Sequence, residues 1–160
     1  MLTLQEMLVR LGVAIFLGLL IGLERESIGK EAGVRTDMLV AAGAAIFSIV
    51  GLSLPYIISV GNLSEVIARN SGFLAVIANI VVGIGFLGAG IIVKEGTHVR
   101  SVTTAATVWF VAAIGVLCGI GLMEFAGIAA VLMIVLLLIF RRLNIPLLIE
   151  KVEEKEKDRT

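Results

Sequence analysis

The chain has 160 residues, 59% of them apolar and 16% charged, with thirteen Lys and Arg balancing thirteen Asp and Glu. Soluble domains run nearer about 45–50% apolar and about 25% charged, and so short a chain keeps too much surface in water to hide this surplus. With a mean hydropathy of +1.09, the composition excludes a soluble enzyme and a disordered tail. It also excludes a nucleic-acid binder, whose steering field needs a net charge that is absent here. What remains is a polytopic protein of the lipid bilayer.

A membrane helix needs about 20 mostly apolar residues. Five spans are predicted, giving an all-α five-helix membrane bundle over residues 1–142. The first covers 4–23 and stops at Glu24-Arg25-Glu26. The second covers 38–60, with Pro55 near its far end. The third, 71–93, stops at Lys94-Glu95. The apolar stretch 101–140 is twice a span and is split near Gly119–Glu124 into 101–120 and 123–140. Arg141 and Arg142 close the fifth span, and residues 143–160 form a short charged cytoplasmic tail whose Glu153 and Lys157 are spaced for a helical pair. The first seven residues hold no Lys or Arg, and the first apolar run ends at Gly22-Leu23-Glu24, so no cleaved signal is expected.

Basic residues stay in the cytoplasm. With five spans, eleven of the thirteen Lys and Arg fall on one side, and only Arg10 and Arg69 on the other. A four- or six-span count spoils that asymmetry. The expected orientation is N-terminus outside and C-terminus inside.

Membrane helices associate where small residues let backbones approach. Ala14, Gly18 and Gly22 recur every four residues in span one, and Ala44, Ser48 and Gly51 nearly so in span two. In span three, Gly72, Asn79, Gly83 and Gly90 share one stripe, while Ala78, Gly85, Gly88 and Ala89 share the opposite one. Small residues on both faces predict that helix three is the centre of the bundle. Gly115 and Gly119 repeat the spacing in span four. The string Gly83-Ile84-Gly85-Phe86-Leu87-Gly88 matches a dinucleotide fingerprint, but that fingerprint requires a preceding strand and a soluble helix. Here it lies inside an apolar span, so the glycines are read as packing residues.

The polar residues of the spans are few. Asn79 lies near the bilayer middle. Thr103, Thr104 and Thr107 open span four, where they can bond across helices, bond their own backbone or line a polar path. Relative to Gly18, a helical wheel turns Arg25 and Glu26 toward the packing face and Glu24 away. Glu24, Glu26 and Asp37 are hard oxygen donors that could gather a hydrated Mg2+, an ion needing only one or two carboxylates. The same charges also serve as topology anchors with acids paired to them. Cys118 allows no disulfide within one copy, and with His98 as the one histidine no His/Cys zinc site can be built. His98 is expected to be solvated and Trp109 to pack against a neighbour. The spans hold no Asp pair, His cluster or GxSxG motif, so no enzyme is expected.

Three passages resemble the MgtC/SapB family of bacterial inner-membrane proteins: GLLIGLERE (18–26) with GVRTDMLVAAGAAIF (33–47), GIGFLGAGII (83–92), and VRSVTTAATVWFVAAIG (99–115). The resemblance implies a five-helix domain, N-terminus outside, linked to magnesium homeostasis and adaptation to low Mg2+. It favours a regulator of other membrane proteins over an oligomeric transporter or channel for Mg2+ or another small solute. The family's polar signature maps onto Glu24, Arg25, Glu26, Arg35, Thr36, Thr103, Thr104, Thr107 and Trp109. Two positions depart from it. Ala75 stands where the family usually has Arg, a role Arg69 could take over, and Asn79 where it often has Gln. Some members add a soluble ACT-like sensing module; this tail is too short for one, so sensing by such a module is not expected. Partners are expected to be other membrane proteins, or a second copy, met through the small-residue faces.

Overall fold

The computed structural model describes residues 2–58, 72–96 and 98–142; the 143–160 tail and Arg69 lie outside them. Five helices long and apolar enough to cross a membrane are present among these residues, as the span count predicts.

Helix α1 (Leu4–Ser27) starts at a capping box. The Glu6 N–H donates to Thr3 Oγ1 (3.2 Å), and the Thr3 N–H donates to Glu6 Oε2 (2.7 Å), so two N-terminal donors are satisfied reciprocally. Helix α2 (Val34–Ile58) begins four residues before the predicted 38. A carboxylate from α1 makes this possible: Glu26 Oε2 accepts from the Val34 N–H at 3.0 Å. The cap lets the polar run Arg35-Thr36-Asp37 form the first turn. The helix also passes position 55 and continues to Ile58.

Helix α3 (Gly72–Ile91) leads into a short hairpin that hydropathy does not foresee. Strands β1 (Val93–Glu95) and β2 (His98–Arg100) pair antiparallel, Val93 opposite Arg100 and Lys94 opposite Val99. Helix α4 (Val102–Ile120) follows Ser101, whose φ is 67°. It ends at Gly121, whose φ of 99° suits glycine. There the Leu122 N–H returns to the Leu117 carbonyl (2.9 Å) and the Gly121 N–H to that of Cys118 (3.0 Å), closing the helix in a Schellman turn. Helix α5 (Met123–Arg142) then runs back.

The core lies among α1, α2 and α4, with α5 on its flank. It comprises Ala14, Leu17 and Ile21 of α1, Ala41 and Ala45 of α2, Val111, Ile114 and Cys118 of α4, and Ala126 and Ala130 of α5. Small side chains make the approach close. A Cβ on Gly119 would meet Ser48 Cβ at 2.6 Å and the Ala45 carbonyl at 2.7 Å, and one on Gly115 would collide with the Ala41 carbonyl. On α1, a Cβ on Gly18 would meet the Asp37 carbonyl at 2.7 Å and one on Gly22 would meet Val34 Cα at 2.6 Å.

The expectation that helix three is central is therefore corrected. Gly88 is its one buried residue, against Ala105 Cβ at 3.7 Å, while Gly83, Gly85 and Gly90 meet nothing within 4 Å. The centre is α4. Small residues permit a close neighbour without supplying one. The Gly115–Gly119 face of α4 finds the alanine and serine face of α2, and no helix among the described residues reaches Gly83, Gly85 or Gly90 of α3.

Candidate functional site

The polar residues collect where α1 ends, α2 begins and α4 begins. Three ionisable side chains are buried here: Glu24 is 8%, Arg25 3% and Asp37 0% exposed. The helical wheel thus assigns the two acids of α1 the wrong way round, for Glu24 is inside and Glu26 exposed. Glu24 continues the buried stripe Ala14–Leu17–Ile21, spaced three and four residues apart on one face of α1, while Glu26, nearer the Gly22 side where the chain returns, turns outward to cap Val34.

Arg25 Nη1 lies 3.7 Å from Glu24 Oε2, and its charge also acts on Asp37. Both oxygens of Glu24, both of Asp37, and Nε and Nη2 of Arg25 are buried without a hydrogen-bond partner. One buried guanidinium thus stands against two buried carboxylates. Burying charges is costly unless they are well paired, and such residues in membrane bundles commonly mark function.

Glu24, Glu26 and Asp37 do not converge as a cation site. Among the described residues no three or more His, Cys, Asp and Glu side chains are grouped to hold a metal. The Glu26 carboxylate is engaged at the α2 N-terminus instead.

A second polar junction ties the α1–α2 loop to α4. Glu31 accepts from Ser101 Oγ at 2.7 Å and from Thr104 Oγ1 at 3.0 Å. The Ser101 hydroxyl, then its own backbone N–H and the Thr104 hydroxyl, hold the Glu31 carboxyl down to about 2 from an ordinary 4.5. The Ser101 hydroxyl is engaged with Glu31 and makes no side-chain cap to the first turn of α4. Thr107, also buried, donates back to the Thr103 carbonyl of its own helix at 2.9 Å, and Thr103 is exposed. Arg35 is exposed and Thr36 half-buried in the first turn of α2. His98 is exposed in β2. Trp109 is half-exposed and lines a cleft of about 240 Å3 with Ile77, Ile80, Val81 and Ile84 of α3.

Sequence reasoning missed Glu31 and Arg10. The partners of Glu31 lie 70 and 73 residues away, and no local pattern couples such positions. Arg10 was legible, because an arginine inside an apolar span needs a partner. Its Nη1 donates to the Gly119 carbonyl at 2.8 Å, placing a cation at the negative C-terminal end of α4.

Asn79 is not part of this site. It is exposed on α3 and lines an open, largely apolar groove of about 510 Å3 between α2 and α3, with Leu39, Gly43 and Phe47 on the opposite wall.

A model of the MgtC family matches residues 11–145. Protein MgtC of Brucella abortus (strain 2308) is 48% identical over 121 residues, covering 76% of this chain and 45% of that protein. Protein MgtC of Salmonella typhimurium (strain LT2) is 44% identical over 123 residues, covering 77% and 46%. An uncharacterized protein of Synechocystis is 41% identical over 140 residues, covering 88% and 54%. The chain thus spans about half the length of the curated relatives it matches. No solved structure matches it. With the family model covering α2 to α5 and most of α1, and with five membrane-spanning helices, this chain is a multi-pass membrane protein and belongs to the MgtC family.

Proposed function

We propose that the chain is a non-catalytic regulator of other membrane proteins, linked to magnesium homeostasis and low-Mg2+ adaptation. It resides in a bacterial cell inner membrane with its N-terminus outside and its C-terminus in the cytoplasm. The magnesium link and the regulatory role come from the family resemblance, and the orientation from the one-sided distribution of Lys and Arg. One observation supports regulation by contact. The family-like segment 83–92 lies mostly on the edge helix, and its Gly83, Gly85 and Gly90 meet no neighbour. Glycines that do nothing for the chain's own packing leave bare backbone on which another membrane helix can close.

The test is retention of a membrane protein by the full chain after mild cross-linking in native membranes. Gly85→Leu, on an open face, is expected to lose the partner without lowering thermal stability. Retention of no partner by either chain refutes the regulatory reading.

A second reading, an oligomeric transporter or channel for Mg2+ or another small solute, draws on the buried Glu24, Arg25 and Asp37 with their unpartnered atoms. Purified chain in liposomes separates the two. Regulation predicts no Mg2+ flux above empty vesicles. Flux that Glu24→Gln abolishes establishes transport instead.

A further inference from the structure

We infer that the groove between α2 and α3 is the seat of a second copy of this chain, with Asn79 of each copy hydrogen-bonded to Asn79 of the other across a two-fold axis along the membrane normal. The groove is about 510 Å3 in volume, and nearly all its lining is apolar: Leu39, Val40 and Phe47 on α2, Val76, Ile80 and Ile84 on α3. Asn79 is the polar exception. It is the eighth residue of α3, roughly 10 Å into the span at 1.5 Å per residue, which places it inside the hydrocarbon. Its side chain has no partner among the described residues, although an exposed amide at that depth finds nothing in lipid to bond.

The occupant must therefore carry a donor and an acceptor at the same depth. Acyl chains carry neither, and headgroups lie roughly 10 Å away by the same rise. A second copy inserted in the same direction meets both requirements. Its Asn79 lies at an identical depth, and an amide both donates and accepts, so two of them satisfy each other. A two-fold interface is self-complementary in this way. Gly83, one turn on in the same groove, has open space at its Cβ position, as does Gly43 across from it. The two backbones can thus come close beside the amide pair.

The test uses the full chain in liposomes, with Gly83→Cys introduced in a Cys118→Ala background and mild copper-catalysed oxidation. A disulfide-linked dimer is expected at position 83. A Gly85→Cys control, on the opposite face, is expected to give little. Adding Asn79→Leu should lower the linked fraction about fivefold or more, as befits side-chain hydrogen bonds between membrane helices, while Asn79→Gln should restore most of it. Four results overturn the inference: no link at 83, equal links at 83 and 85, a link indifferent to Asn79→Leu, or native mass spectra of a monomer carrying lipid or a foreign protein. The regulatory reading keeps a separate readout, partner retention and its loss on Gly85→Leu, so the failure of either reading is distinguishable from that of the other.

Discussion

Among the described residues, Arg25 is the one cation beside the buried carboxyls of the polar junction, and its removal is the most damaging single change expected there. Arg25→Met leaves Glu24 and Asp37 buried without a counter-charge. It should cost about 3–5 kcal/mol, read as a lowered thermal midpoint in detergent. Glu24→Gln should cost far less, because it removes a charge that is itself incompletely paired. Glu31 behaves differently, being exposed. Its carboxyl is held to about 2, below the ordinary 4.5. Such a group contributes stability that is present above the unfolded value and fades as pH falls from about 4.5 toward 2. Hydrogen exchange at the first turn of α4 should quicken over that window, and Glu31→Gln should abolish the pH dependence. The residue types of this junction were legible in the sequence, since charges that interrupt apolar runs stand out. Their pairing was not: Glu31 reaches Ser101 and Thr104 across two intervening spans, and Glu26 serves α2 rather than a cation.

At the scale of the helix, the same residue type has two fates. Gly115 and Gly119 of α4 lie against the α2 backbone, whereas Gly83 of α3 faces open space. Gly115→Ala should destabilise by about 1–3 kcal/mol through overpacking. Gly83→Ala should leave the unfolding transition of the single chain within about 0.5 kcal/mol, as surface changes do. Unfolding by a denaturing detergent against a mild one checks both. Equal effects would mean that α3 is packed more tightly than it stands here. The helices themselves follow from local chemistry: the Thr3–Glu6 box, the left-handed Gly121 and the length of each apolar run all act within a few residues. The two-stranded hairpin after α3 depends instead on backbone pairing between Val93 and Arg100, for which hydropathy has no signal.

For the whole molecule, five spans place the two ends of the bundle on opposite sides of the membrane. With the N-terminus outside, a membrane-impermeant thiol reagent should label Glu124→Cys, in the first turn of α5, in intact cells. It should label Arg35→Cys, at the start of α2, only after permeabilisation. The reverse pattern would invert the topology. The number of spans was settled by the sequence alone, because hydrocarbon thickness sets helix length and apolar run length is a local property of the chain. So were the family signature and the few polar residues within the spans. The tertiary structure decided which helix is the centre. Burial belongs to pairs of surfaces, and α4 is enclosed because its glycines meet the alanines and serine of α2, while Gly83, Gly85 and Gly90 of the equally glycine-rich α3 meet no counterpart among the described residues.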